Sequence, residues 1–390
     1  MTMDHVSSLE KPTVLPAMTP RQRFARVMAH QEADRIPLDL AGTSLTGIDP
    51  QAADRLRDLL GFKGEPPGPY RAFDERILLA LDVDFRRVGG LIASGERLVP
   101  GRSDRSIDMW GVTRAWTGQY WDIINPPLKG ATLDDLAAYP WPDPAAWIDQ
   151  AQLLAFREEA RRLWEKTDYV VVAEHPVYGV FELACWMCGF DDFLLRVAGD
   201  PDFVRRLFDI LLNLQKAFIR PYYLALGDFI HLTTSGDDFG MQTGPLISPR
   251  AFRGLVKPYF AERIAFTRQF TRGYYWHHSC GSVHALIPDL LDCGVDILNP
   301  IQARAYRMEP ERLKADYGDR LVFHGGFDTQ NVLPFGSQVE IEAEVARVVN
   351  ALMPNGGYIF SAGHNIQNDV PAENILAMFQ AAKTIGRYSD

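Results

Sequence analysis

The sequence predicts a single (β/α)8 barrel. Three observations predict it. Eight short apolar runs of β type recur along the chain, helical patterns with apolar residues at 3.6-type spacing follow most of them, and polar residues gather where the runs end. Such alternation argues for parallel strands joined by crossover helices, and eight units suit a closed ring. A length of 390 residues accommodates one barrel with insertions.

In chain order, residues 1–18 are expected to form a loose tail. A helix is expected to follow to about residue 30, with Thr19 as N-cap, Pro20 at the first helical position, and Phe24, Val27 and Met28 on one face. The strands are predicted at 36–42, 83–89, 169–175, 229–238, 274–280, 295–302, 321–328 and 358–364. Helices are predicted at 150–164, 178–218, 249–269, 283–292, 309–316, 338–353 and 371–386. The segment 95–147 breaks this rhythm with Trp110, Trp116, Trp121, Trp141 and Trp147 among Gly, Pro and Asp. Residues 108–116 read as a hairpin strand, and the whole segment as an insertion over one end of the barrel. It is expected to be either a lid or a packed surface subdomain. The barrel proper thus spans 19–390.

Composition narrows the function classes. A hydrophobic share of 47% and a charged share of 23% exclude a disordered chain, a collagen-like fibre and a coiled coil. With 40 basic against 50 acidic residues and no basic block, neither a nucleic acid nor an anionic membrane is an expected partner. Cys185, Cys188, Cys280 and Cys293 are too few for a disulfide scaffold, so reduced thiols and a cytoplasmic location are expected. No signal-peptide pattern opens the chain, and its apolar runs are short and interrupted. The GxxxxGK[ST], GxGxxG and GxSxG patterns are absent, which removes the common nucleotide-binding and serine-hydrolase readings.

The chemistry-bearing residues collect at strand ends: Glu174 and His175, Asp237 and Asp238, His277, His278 and Cys280, Asn299 and Gln302, His324 and Asp328, His364 and Asn365. In a parallel barrel these ends converge on one mouth. His278-Ser-Cys280 places imidazole and thiol two residues apart, on one side of a strand, and both are zinc donors. With His364 they would make three ligands with one open position, the pattern of a catalytic zinc. The plainer alternative is a buried cysteine beside a hydrogen-bonded histidine. Asp237 and Asp238 could serve as base or second metal site, or could bond to loop amides. Cys185-Trp-Met-Cys188 lies in an apolar helical stretch and reads as packing, as does Cys293.

The chain resembles the uroporphyrinogen decarboxylase superfamily, in the branch that includes the corrinoid-dependent methyltransferases. The resemblance covers nearly the whole chain. It opens at Thr19-Pro-Arg-Gln-Arg-Phe24 and runs on through Pro37. It continues in Pro249-Arg-Ala-Phe252 and Pro258-Tyr-Phe260. It is strongest in His277-His-Ser-Cys-Gly281, Gly294-Val-Asp-Ile-Leu-Asn-Pro-Ile-Gln302, Gly325-Gly-Phe-Asp328, Gly363-His-Asn-Ile366 and Pro371-Ala-Glu-Asn-Ile375.

The resemblance implies catalytic zinc held by a His-x-Cys pair and a Cys after the last strand. His278 and Cys280 match, whereas His364 stands where the family has Cys. A His2Cys set leaves zinc at a formal charge of +1 and HisCys2 leaves it neutral, so a stronger Lewis acid is expected here. That shifts the expectation from coenzyme M as thiol acceptor towards a substrate bound through oxygen. The reaction implied is methyl transfer between a small substrate (methyl ether, amine or thiol class) and a corrinoid, that is cobalamin, either free or carried by a partner protein. Asp237, Asp238, Glu174 and His324 are the expected proton-handling groups. His175, Asn299, Gln302, Asp328 and Asn365 are the expected substrate- or cofactor-binding groups. A homodimer is a further expectation. The alternative is a decarboxylase or other lyase, metal-free or metal-assisted, acting on a small carboxylate or a tetrapyrrole. True uroporphyrinogen decarboxylases carry an Arg-Gln-Ala-Gly-Arg run after the first strand. The corresponding stretch, Ala41-Gly-Thr-Ser-Leu-Thr-Gly47, has no arginine, which disfavours the tetrapyrrole.

Overall fold

Seven of the eight expected runs become parallel strands paired side by side. They are Phe85–Val88, Val170–Ala173, Leu232–Gly236, Tyr274–His278, Ile297–Ile301, Val322–Phe327 and Tyr358–Ala362. The computed structural model describes residues 17–64, 73–92, 96–118 and 121–388, so most of the expected N-terminal tail lies outside the described residues.

The run expected at 36–42 is a correction. It forms isolated bridges rather than a regular strand, and Pro37 offers no N–H to a ladder. It nevertheless joins both edges of the sheet. The Asp84 amide donates to the Leu38 carbonyl at 2.9 Å on one side. On the other, the Asp39 amide donates to the Phe360 carbonyl and the Phe360 amide to the Pro37 carbonyl, each at 2.9 Å. The ring therefore has eight positions, one of them held by bridges.

Strand alternation then layers the interior. Phe85, Val170, Val172, Leu232, Trp276, Ile297, Val322 and Ile359 form one buried apolar cluster. Phe24, Val27 and Met28 of the helix Pro20–Met28 complete it, so this helix plugs the ring. The helix starts with a capping box between Thr19 and Gln22 and has Pro20 at its first position. Arg23 pins it through ion pairs to Asp34 and Asp84. Two residues beyond the apolar layer, the same strands present Arg87, Glu174, Thr234, His278, Asn299, His324 and Ser361. Asp39 joins them from the bridging segment.

The helices are more broken than periodicity suggested. The stretch 178–218 divides into Val180–Cys188, Phe190–Gly199 and a helix Pro201–Leu226 that outruns it. Gly189 turns the chain at φ +84°, a region that favours glycine, and Asp200 caps a helix that Pro201 opens. Likewise, 249–269 contains a π segment at Phe252–Val256 before the helix Lys257–Thr267. In the expected insertion, Arg97–Val99, Arg102–Ile107, Thr113–Trp116 and Trp121–Asn125 make a four-stranded antiparallel sheet. The supposed strand at 108–116 is instead a turn followed by a strand. Asp108 accepts from the amides of Trp110 and Val112, which fixes that turn. No helix among the described residues is long and apolar enough to cross a membrane.

Near the plug, the Val171 amide donates to Nδ1 of His231 at 3.0 Å, and the ring lies 4.5 Å from Trp164. Burial, aided by the Arg21 charge, lowers the His231 imidazole from 6.5 to about 4. The unfolded chain therefore binds a proton in this window that the folded chain refuses, and stability is lost as pH falls from about 6.5 towards 4. His231→Asn keeps an acceptor for the Val171 amide and cannot titrate. Thermal midpoints measured from pH 7 to 4 are expected to fall less steeply in this variant than in the parent. Equal slopes would assign the acid sensitivity elsewhere.

Candidate metal centre at the barrel mouth

The strand Tyr274–His278 points alternate side chains to opposite faces, and this decides which histidine meets the mouth. His277 faces outward, its ring 5.5 Å from that of Phe239 and edge-on at 4.7 Å to that of Phe260, with Nδ1 2.9 Å from the Ser235 hydroxyl. His278 faces inward. Cys280 follows on the same side, with Sγ 3.3 Å from His278 Nε2. His364, just past the last strand, brings its ring 5.8 Å from that of His278. One donor atom from each of His278, Cys280 and His364 lies within 4.8 Å of the other two. Tetrahedral zinc, with nitrogen at about 2.0–2.1 Å and sulfur at about 2.3 Å, needs donors about 3.4–3.6 Å apart. The three residues fit such an ion.

The surroundings prepare the donors. Asn299 Oδ1 lies 2.7 Å from His278 Nδ1, while the Asn299 amide donates to the His324 carbonyl at 3.3 Å. The second bond orients the amide so that its oxygen meets the ring, which places the His278 proton on Nδ1 and leaves Nε2 as a donor lone pair. Burial first, then the neighbouring His364, lowers His278 to about 4, and burial lowers His364 as well. Both rings are thus neutral at pH 7. Burial, and then Asp238, pushes the Cys280 thiol up. A bound cation is what would favour its thiolate.

The two adjacent aspartates have different surroundings. Asp237 is buried, and its carboxylate accepts from the amides of Phe181 at 3.3 Å and Glu182 at 2.7 Å, at the start of the helix Val180–Cys188. A Cβ on Gly179 would lie 2.0 Å from the Asp237 carboxyl carbon, so only glycine admits this approach. Burial raises Asp237 to about 7. Asp238 instead accepts from the Cys280 amide at 2.7 Å and sits 3.9 Å from His278 Nε2.

Glu174 anchors the opposite wall. Burial would raise its carboxyl, but His175, Arg87 and the Ser44 amide outweigh that and hold it down to about 2. Glu174 is therefore ionised at neutral pH and is not an acid. Its Oε1 is 2.6 Å from His175 Nδ1, and Arg87 lies 3.2 Å from its Oε2. His324 lies deeper, accepting from the Trp276 indole at 2.7 Å with Nε2 3.1 Å from Asp39. Both His324 and Asp39 are buried in the polar layer.

A cleft of about 240 Å³ opens beside the triad. Cys280, His364, Gln302, Asp328 and Asn365 line it, with Ile301, Phe327 and Arg304. Gln302 accepts from the Gly281 amide at 2.7 Å, and Asn365 from the Gly47 amide at 2.6 Å. Asp328 pairs with Arg304 and accepts from the amides of Gln330 and Asn331. These three side chains shape the loops that bound the cleft.

Sequence reasoning missed Asp39, Arg87 and Glu182. The first two carried a signal: each sits at an inward position of a predicted strand. Glu182 did not, because it lies within an apolar helical stretch that reads as core. Burial first, then Asp238 and Asp237, raises the Glu182 carboxyl well above the usual range.

The ring and the polar mouth define a (β/α)8-type barrel protein with a candidate metal centre at the strands' C-terminal ends. The family model for uroporphyrinogen decarboxylase (URO-D) matches residues 124–385. The chain belongs to that family. Curated relatives named uroporphyrinogen decarboxylase include those of Pelobacter propionicus, 22% identical over 53% of this chain and 58% of the relative, and Methylibium petroleiphilum, 24% identical over 53% and 55%. One from Psychromonas ingrahamii is 25% identical over 34% of this chain and 36% of its own length. The chain thus spans about half the length, or less, of these relatives. Among solved structures, a methyltransferase from Methanosarcina mazei superposes with a TM-score of 0.65 at 18% identity, covering 94% of this chain and 98% of that one. At that identity the likeness shows a shared fold.

Replacing Asn299 by Leu removes the group that sets the His278 tautomer. Zinc affinity, measured by competition with a chelator, is expected to fall about 10–100-fold. Unchanged affinity would mean that another group orients the ring.

Proposed function

We propose that this chain is a zinc-dependent methyltransferase that moves a methyl group between a small substrate and a corrinoid carried by a partner protein. The observation that carries this reading is the convergence of His278, Cys280 and His364 beside the cleft, with Asn299 orienting the first of them. When bound there, zinc supplies Lewis acidity to the heteroatom that bears or receives the methyl group.

The chain's own residues do the rest. Ile301 and Phe327 give the cleft an apolar wall suited to a methyl group, while Gln302 and Asn365 fix its polar rim. Glu182, whose carboxyl burial and the two aspartates push well above the usual range, is a candidate proton donor to a departing heteroatom. Glu174, held ionised, keeps Arg87 and His175 in place. The cleft lies below the roughly 300–1,000 Å³ of typical ligand pockets, which favours a small substrate over a tetrapyrrole. The stretch Ala41–Gly47 supports the same preference. It offers no arginine, and its Ser44 and Gly47 amides are taken by Glu174 and Asn365.

The test is methylation of cob(I)alamin, followed by its absorbance, with methoxy, methylamine and methylthio compounds as donors and zinc-loaded protein. Cys280→Ala is expected to lose stoichiometric zinc and more than about 100-fold in rate. Full rate in this variant, or carboxyl loss from uroporphyrinogen without methyl transfer, would overturn the reading. His364→Cys separates substrate classes. It is expected to keep zinc and to lose turnover if the donor binds through oxygen, because a second thiolate neutralises the ion. With a thiol substrate, turnover is expected to hold or rise.

A further inference from the structure

A substrate held at the metal by its methyl-bearing heteroatom leaves its other end against the rest of the cleft. We propose that Arg304 binds a carboxylate at that end, so that the small substrate is an acid carrying its methyl group on oxygen, nitrogen or sulfur. The proposal rests on the methyltransferase reading above and names its substrate class.

Placement supports it first. Arg304 and Asp328 line the same cleft as Cys280 and His364. Of the side chains in that lining, Arg304 is the one permanent cation and Asp328 the one carboxylate. The cleft measures about 240 Å³, and one compact molecule filling it touches both the metal ligands and Arg304. Ile301 and Phe327, in the same lining, suit a short hydrocarbon joining the two ends.

Hydrogen bonding supports it second. Asp328 is buried, and its Oδ1 accepts from the amides of Gln330 at 2.8 Å and Asn331 at 3.1 Å. Its Oδ2 accepts from Arg304 Nε. The backbone therefore fixes this carboxylate, and the carboxylate fixes the guanidinium by one edge. The Arg304 side chain stays about half exposed, and among the described residues neither of its terminal nitrogens donates a hydrogen bond. A guanidinium held at Nε and open at both terminal nitrogens presents a planar fork that matches a carboxylate in two parallel bonds. Asp328 sits at Nε, across the guanidinium from that fork. Attraction to the nearer nitrogens therefore exceeds repulsion from the farther carboxylate.

The test measures dissociation constants by ligand-observed NMR for the full chain, both stripped of metal and loaded with zinc. Two acids, methoxyacetate and para-methoxybenzoate, are each compared with the neutral amide of the same shape. The metal-free form isolates Arg304, since carboxylate oxygen also binds zinc. In that form the parent is expected to bind at least one acid more tightly than its amide by about tenfold or more. Arg304→Gln is expected to bring that ratio to about one, and Arg304→Glu to invert it. Arg304 is exposed, and far-UV circular dichroism checks that both variants fold. With zinc and cob(I)alamin supplied, the same preference is expected in kcat/KM and to be carried by KM. Equal binding of acids and amides by the parent, including no detectable binding of either, overturns the proposal. So does a preference that survives in Arg304→Gln. Zinc binding and methyl transfer without an acid preference refute this inference and leave the proposed function standing. If the parent binds no zinc, the methyltransferase reading fails, while an Arg304-dependent preference in the metal-free chain still assigns the carboxylate site.

Discussion

Everything at the mouth depends on one constraint: a strand that closes into a barrel sends every second side chain inward. The apolar layer around Trp276, Ile297 and Val322 is sealed from below by Phe24 and Val27. The next inward position on each strand has no helix to cover it and falls under the mouth. Polar groups buried there are tolerated only with partners, since an unpaired charge in such a place costs several kcal/mol. The layer meets that demand in part, since His324 Nε2 and Asp39 Oδ2 make no well-formed hydrogen bond among the described residues. Glu174 pairs with Arg87, His324 lies against Asp39 and Trp276, and Asn299 bridges His278 and the His324 carbonyl.

The same side chains hold the loops. Glu174 and Asn365 take the amides of Ser44 and Gly47, so the first loop is fastened to the third and last strand ends. Asp237 takes the opening amides of the helix Val180–Cys188, and Asp238 takes the Cys280 amide. Gln302 and Asp328 do likewise for Gly281 and for Gln330. Strand-end polarity is thus both scaffold and site. A carboxylate in this setting is read by what it already holds: Asp237 the helix amides, Asp238 the Cys280 amide.

Burial then sorts the titratable groups by partner. Glu174 is buried and Glu182 partly so, and the first is held down to about 2 while the second is pushed well up. Arg87, His175 and an amide surround the first, while two aspartates face the second. This difference puts a carboxylate held ionised and one of raised proton affinity within one mouth.

The sequence by itself determined the barrel, its parallel strands and the inward side of each, because a period of two and its interruption by helical spacing are local properties. It also determined the His278 and Cys280 pair, which share one side of one strand. It also named His364 as their third partner; only the tertiary structure decided that Asp238 rather than Asp237 lies against His278 and Cys280, and that Glu182 lies near both aspartates. These depend on the ring bringing distant strand ends together and on which amides each loop leaves unsatisfied. The segment 36–42 shows the same limit from the other side. Its apolar pattern matches a strand, but Pro37 removes a donor, and the position becomes a set of bridges whose place only ring closure fixes.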